Sequence, residues 1–528
     1  MNRSFLIVLV FVPLVFISSS LHFYVSELNL PSTPLDYSIS LPPHFLNNVT
    51  GPLPTSINGL DNTPADNPIT NAGATLGRVL FYDVNLSQNR TVSCASCHQS
   101  GNGFSDPSTL SSGFNGGETR RHSMTLINAR YYQRGRFFWD ERAATLEEQV
   151  LMPFQDPVEM GLTLTTLLDR VNEQYYYPTL FSDAFGSSAV TTDRIAKALA
   201  QFVRSIVSYN SKYDLGRAQV SGPGVPFPNF TAQENQGKQL FFASLPNGGG
   251  ACFGCHTTEA FVSANPGPQN NGIDIVSTSD FGAGETFPNI PIFQGRFKTT
   301  TLRNIELTAP YMHDGRMQTL EQVIDHYSSN IQPHPTLSAA LTDANNNPVR
   351  LNFNTSQKSA LVAFLRTLTD ASVATAEKWS NPFMNNTDLV VTNQNDNGVG
   401  SLRSIMNCAG TGDTIRFASN VDTIFLNIPL NIFKNISLKD EMGSPVVIKA
   451  NFNNSGFTNA TYGINIASNI NVYLHNIMLN HYNNTISKPL LRNEGNLTLS
   501  SCELNGNLKS IVNNQSGNIS IQNSVTIR

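Results

Sequence analysis

The sequence predicts a multidomain chain, mainly α for roughly its first 380 residues and then an all-β domain of the parallel β-helix type. Three observations carry this. Helical apolar spacing with capping boxes dominates residues 69 to 380, and a CxxCH motif appears once in each half of that region. Beyond Asn381 a short alternating strand motif recurs at a near-regular interval. At 528 residues the chain is long enough for two or three domains and too long for a single small module.

Residues 1–20, MNRSFLIVLVFVPLVFISSS, join a short basic start at Arg3, an apolar core from Phe5 to Ile17 and a small-residue exit at Ser18 to Ser20. By pattern this is a secretory signal; the rival reading, an uncleaved anchor, meets an apolar run too short for a full span. Export places the mature protein in the periplasm, outside the cell or at its surface, and not integral to a membrane once the signal is removed. A net charge of −5 with no basic stripe gives no reason to expect nucleic acid as a partner.

Residues 21–68 are rich in Pro, Asn, Ser and Thr with little periodicity and read as an extended lead-in. Residues 69–220 form the first helical unit. There Thr145 and Glu148 make a capping box before a helix carrying Gln149, Val150 and Met152, which Pro153 should end. Ile195, Ala198, Leu199, Phe202, Val203, Ile206 and Val207 predict an amphipathic helix over about 192–209. The linker Ser221 to Asn229, SGPGVPFPN, opens a second unit, residues 221–380. Capping boxes at Thr231/Glu234 and Thr319/Gln322 start helices there, the latter presenting His326 and Tyr327 near its end, and a last helix covers about 356–369.

Residues 381–528 turn to Asn, Ser, Ile, Leu and Thr with few charges. Asn471-Val-Tyr-Leu-His-Asn, Asn496-Leu-Thr-Leu-Ser-Ser and Asn518-Ile-Ser-Ile-Gln-Asn align at offsets of 25 and 22 residues, with Asn435-Ile-Ser-Leu-Lys-Asp a weaker fourth. Alternating short strands at that period predict stacked coils sharing one core. The Asn-x-Ser/Thr triplets here can be read as glycan sites, but asparagine-rich solenoid turns explain them more simply. No cluster in this region points to catalysis, so surface binding or adhesion is its expected role.

Four of the six cysteines lie in CASCH, Cys94 to His98, and CFGCH, Cys252 to His256. In CxxCH two thiols can add to the vinyl groups of one haem while the following imidazole reaches the iron. Two such motifs predict two covalently bound haems c, held by Cys94, Cys97, His98, Cys252, Cys255 and His256. Zinc would need four ligands at each site, and each motif offers three. Cys408 and Cys502 are left either to bridge or to remain buried thiols.

From Thr91 to about Thr369 the motifs TVSCASCH, FFWDERAATLEEQ, DPVEMG, ACFGCH, TLRNIELTAPYMHDGR and the helix ending DHY resemble, in content and order, the bacterial dihaem cytochrome c peroxidases and their MauG-type relatives. The resemblance implies two mainly α cytochrome c-like domains with one haem each. It implies that the N-terminal haem reacts with peroxide, with Glu159 as distal acid/base, Gln149 and Pro153 lining that pocket, and Trp139 relaying electrons between the haems. A carboxylate there can take a proton from peroxide and return it to the leaving oxygen.

For the second haem iron the resemblance implies Tyr327 as distal ligand, where peroxidases place Met and MauG-type enzymes Tyr; His326 and Met312 are competing ligands. A phenolate favours ferric and higher states. It also implies a calcium ion between the haems on the carbonyls of Thr308 and Pro310, although His122 stands where an Asn is expected and imidazole suits a hard cation poorly. His122 as a distal haem ligand is a lesser alternative. Gly250 stands where partner-oxidising relatives carry a surface Trp.

The expected function is therefore an exported dihaem peroxidase that reduces hydrogen peroxide with electrons from a small redox protein, a cytochrome c or a cupredoxin. Two alternatives stay open: a MauG-type enzyme oxidising a partner protein, and a non-catalytic electron-transfer cytochrome with a surface-binding module.

Overall fold

The computed structural model describes residues 28, 30–31, 33–47, 56–245, 248–263, 267–383, 389–396, 400–409, 412–441, 444–450, 462–481, 490–505, 512–514, 517–523 and 525–527. The signal at residues 1–20 lies outside them. Among the described residues no helix is long and apolar enough to cross a membrane.

Each half of the α region is built around one crossed helix pair, and the same device lets both pairs close. In the first, α1 (Asn71–Tyr82), capped by Thr70, packs on a helix at Thr192–Ser205. A Cβ at Gly77 would lie 2.0 Å from the Ala198 carbonyl oxygen and 2.8 Å from Phe202 Cβ, so only glycine permits this approach. In the second, the helix at Ala232–Phe242 crosses one at Thr355–Arg366, and a Cβ at Gly237 would lie 1.8 Å from the Ala360 carbonyl oxygen and 2.9 Å from Phe364 Cβ. Apolar faces of these pairs nucleate two separate cores, one around Leu76, Leu80, Leu199 and Phe202, the other around Phe241, Phe261, Leu361 and Phe364. Trp379 and Phe383, from the end of the α region, return to pack in the first core.

Short helices carry the functional loops. In the first half these are α2 (Leu146–Gln149), α3 (Met152–Gln155), α4 (Tyr177–Phe185) and α5 (Thr192–Ser205). The second half has α6 (Ala232–Phe242), α7 (Leu320–Asp325) and α8 (Thr355–Arg366).

Two boundaries differ from the sequence reading. Pro153 does not end α2 but sits in the first turn of α3, where its missing N–H costs no hydrogen bond. Helix α5 stops at Ser205 rather than about 209, because Asn128 diverts the chain: its N–H donates to the Ile206 carbonyl (2.9 Å) and its Oδ1 accepts from Ser208 N–H (3.1 Å).

The C-terminal region is a stack of parallel strands forming three sheets, in about four turns. One sheet carries the aligned lines Ile436–Lys439, Asn471–His475, Asn496–Ser500 and Asn518–Gln522, with Asn496 opposite both Asn471 and Asn518. The leading asparagines form a ladder: Asn435 Oδ1 accepts from Asn471 N–H (2.8 Å), Asn496 Nδ2 donates to Asn471 Oδ1 (2.8 Å), and Asn518 Nδ2 donates to Asn496 Oδ1 (3.0 Å). Alternate residues such as Leu438, Val472, Leu474, Leu497 and Leu499 fill the shared core.

The solenoid is seated on the second half. Phe433 packs against Leu307 and Ala374, while Glu306 meets Arg366 (3.4 Å), Arg492 (3.8 Å) and the Tyr462 hydroxyl (3.5 Å). Cys502 is a buried free thiol, its Sγ directed at the Leu474 and Ser500 carbonyls, both at 3.3 Å; the Cys408 side chain lies outside the described residues.

Candidate functional site

A cavity of about 560 Å³ brings together Cys94, Cys97 and His98 on one side and Gln149, Pro153 and Glu159 on the other. Cys94–Cys97 is a single helical turn capped reciprocally by Ser93 and Ser96. The His98 N–H closes on the Cys94 carbonyl (3.0 Å), and its Nδ1 lies 3.1 Å from the Phe104 carbonyl, leaving Nε2 as the free ligand atom. Burial lowers the His98 pKa, so the ring is neutral and able to bind a metal.

Glu159 follows a turn in which Asp156 Oδ1 accepts from Val158 N–H (2.8 Å) and Glu159 N–H (3.3 Å). Its carbonyl accepts from Phe114 N–H (3.0 Å). Gly113 permits that contact, since a Cβ there would overlap the Val158 carbonyl at 1.6 Å. Burial, reinforced by Asp156 and opposed by Arg142, raises the Glu159 pKa to about 7. A carboxyl poised there can both accept and return a proton near neutral pH.

The second cavity, about 220 Å³, holds Cys252, Cys255 and His256 together with Tyr327 and Met312. Here too the His N–H closes on the first Cys carbonyl, His256 to Cys252 at 3.0 Å, and burial lowers the imidazole pKa to about 4. Helix α7 passes into a π-turn over His326–Asn330. That turn separates the competing ligands: Tyr327 lines the cavity, while His326 Nε2 faces the Asn271 carbonyl at 2.9 Å. Met312 also lines it, its sulfur accepting from Asn271 Nδ2 (3.2 Å). Burial pushes the Tyr327 phenol up to about 12, so it carries its proton unless a metal ion displaces it.

Trp139, Lys298, Thr299 and Thr300 line both cavities. The Trp139 indole N–H donates to the His122 carbonyl (2.7 Å) and its backbone carbonyl accepts from Lys298 N–H (2.8 Å), so the ring is held from the first half and the main chain from the second. The seam is clamped by buried Arg121, which bonds Asp140 (2.5 Å) of the first half and both oxygens of Asp280 (2.7 and 2.8 Å) of the second.

The loops over the two cavities repeat one scaffold. Phe137 bridges Ala143 and Tyr311 bridges Met317, Phe138 and Met312 both have left-handed backbones, and Thr145 and Thr319 cap the helices that follow. Counting from the bridged residue, Pro153 and Tyr327 hold equivalent positions. The first cavity thus presents a ring with no ligand atom where the second presents a phenol. Neither this equivalence nor the parts played by Lys298 and Arg121 show in any motif, since each depends on segments that meet only in the fold.

The structure bears on one part of the calcium expectation, the side chain at position 122. His122 Nε2 is paired with Ser105 Oγ (3.1 Å) and Nδ1 faces the Ser108 and Thr109 carbonyls (3.1 and 3.2 Å), so the ring is neither a cation ligand nor free to reach iron. Pro310 follows a cis bond and lines a cavity at the solenoid junction, and the Thr308 hydroxyl is turned to the Ile305 carbonyl (3.2 Å). Among the described residues no group of three or more His, Cys, Asp or Glu could hold a metal ion.

Two buried cavities, each with a thiol pair and a neutral histidine on one wall and with a shared aromatic partition, define a dihaem oxidoreductase. Residues 71–219 match the family described as di-haem cytochrome c peroxidase. The chain is 31% identical over 307 residues to the methylamine utilization protein MauG of Methylophilus methylotrophus, spanning 58% of this chain and 84% of that protein. It is 32% identical over 304 residues to the cytochrome c551 peroxidase of Nitrosomonas europaea, spanning 56% and 79%. A solved MauG-like protein associated with microbial copper homeostasis superposes with a TM-score of 0.54 at 30% identity, over 61% of this chain and 97% of that one. The chain belongs to the dihaem cytochrome c peroxidase and MauG family, and it is a peroxidase-type oxidoreductase with two haem cofactors.

Proposed function

We propose that the protein is an exported enzyme that reduces hydrogen peroxide at the first cavity, with electrons arriving through the second cavity and Trp139 from a small redox protein, a cytochrome c or a cupredoxin. The observation that carries the reading is the placement of Glu159, at a pKa near 7, in the same cavity as Cys94, Cys97 and His98. Covalent haem attachment through the two thiol pairs fits their free state and their exposure to the cavities. The haem supplies the redox chemistry once bound. Around it, His98 holds its ring by the Phe104 carbonyl, Pro153 keeps the opposite face clear, and Glu159 moves the proton from one peroxide oxygen to the other.

Stopped-flow optical and EPR titration with peroxide tests this: the first haem should respond, and turnover should follow on adding a reduced donor. An unresponsive haem overturns the reading. Tyr327 supports a second reading, oxidation of a partner polypeptide, because a phenol ligand favours higher oxidation states. Gly250, in the wall of the second cavity, carries no ring that could pass an electron to such a partner along the route relatives use. Mass spectrometry of co-purified proteins before and after peroxide distinguishes the two; unmodified partners exclude the second.

A further inference from the structure

Three consecutive tyrosines run from the core of the first half to the surface. Tyr177 is fully buried, Tyr176 is 7% exposed and Tyr175 is 72% exposed. Their rings touch in sequence, with centroids 4.7 Å apart for Tyr176 and Tyr177 and 5.3 Å for Tyr175 and Tyr176. At the inner end, Tyr177 lies in the core against which Cys94 packs. Both buried hydroxyls donate to one carboxylate oxygen, Asp83 Oδ2, at 2.7 Å from Tyr177 and 2.9 Å from Tyr176. Core packing explains the two inner rings. Asp83 also caps the turn that follows it, its Oδ1 accepting from Asn85 N–H (2.9 Å), while its Oδ2 is left to the two phenols and the outer ring stands in water.

We propose that Tyr177, Tyr176 and Tyr175 form a one-electron path from the first haem site to the surface, where Tyr175 oxidises a small phenolic reductant. The proposal rests on the reading of that site as peroxide-reactive. Peroxide is the oxidant and becomes two waters as it gains two electrons and two protons. Tyr176 gives one electron inward through Tyr177 and passes its hydroxyl proton to Asp83. Tyr175 then refills Tyr176, which recovers the proton from Asp83, and a phenol refills Tyr175, losing one electron and its O–H proton to water. Two phenols are oxidised to phenoxyl radicals per peroxide. One carboxylate takes one proton, so the path carries one vacancy at a time. Burial and Asp83 hold both inner phenols well above their ordinary pKa, so neither gives up its proton unless it also loses an electron.

The test mixes haem-loaded full-length protein with peroxide in the absence of donor, with freeze-quench EPR and a nitroso spin trap followed by peptide mapping. The wild type should show a tyrosyl radical and an adduct on Tyr175. Tyr175→Phe should lose the adduct and fall about tenfold in guaiacol turnover while turnover with reduced cytochrome c is unchanged. Tyr176→Phe should lose both radical and adduct while the haem still responds to peroxide. A haem that responds with radical yield and guaiacol turnover equal in all three proteins overturns the path alone. A haem that does not respond to peroxide overturns the site reading and the path with it.

Discussion

The two cavities are built by the same loop used twice, and they differ at the equivalent residue that lines each of them. Over the first, Pro153 begins a helix and a carboxyl at pKa near 7 stands beside it. Over the second, a π-turn delivers Tyr327 and, among the described residues, no Asp or Glu lines the wall. An open face with a proton shuttle suits bond breaking, and a face closed by a ligand suits holding an electron. On the proposed function, a division of labour between two haems would then rest on a few side chains on a common scaffold rather than on different folds.

Removing the shuttle should break this contrast most severely. Glu159→Gln is expected to slow the peroxide reaction by about 10²–10⁴-fold, the usual range for a lost general acid/base, while the optical spectrum of the second haem stays as it was. Stopped-flow absorbance reads both together.

Exchanging the closing ligand attacks the other side. Tyr327→Met should raise the potential of the second haem by a sizeable part of the roughly 0.8 V that axial ligands command. Spectroelectrochemistry measures this, and an unchanged potential would remove Tyr327 from the iron.

The contrast also has a pH signature. Below about 7 Glu159 is protonated and cannot accept a proton from peroxide, so the rate should rise as pH increases through that value and level off above it. In Glu159→Gln the profile should be flat over the same window. A wild-type profile without that inflection would place the base elsewhere.

The smallest effect concerns the seat of the solenoid. Glu306, mostly buried between Arg366 and Arg492, links it to the second half, and Glu306→Gln should cost about 1 kcal/mol, as partly screened ion pairs do. Differential scanning calorimetry should show a lowered or split transition, with peroxide reactivity at the first site retained.

Much of this architecture was legible in the sequence, and the reasons are local. Capping boxes at Thr145, Thr231 and Thr319 act within one turn, and the solenoid lines at Asn471, Asn496 and Asn518 align because stacked coils repeat the same contacts. Where the reading went astray, a distant partner intervened: Asn128 ends α5 from seventy-odd residues away, and proline rules allow Pro153 either to stop a helix or to start one.

Residue chemistry alone decided the class of the protein: the thiol pairs with their histidines, the order of the motifs and the repeat period are properties of the chain, independent of how it packs. Only the tertiary structure decided which face each cavity presents. It placed Glu159 in a setting that lifts its pKa, turned Tyr327 inward and His326 away, engaged both nitrogens of His122, and set Trp139 in the wall of both cavities. Burial, desolvation and side-chain direction arise when segments distant in sequence meet, and no spacing along the chain encodes them.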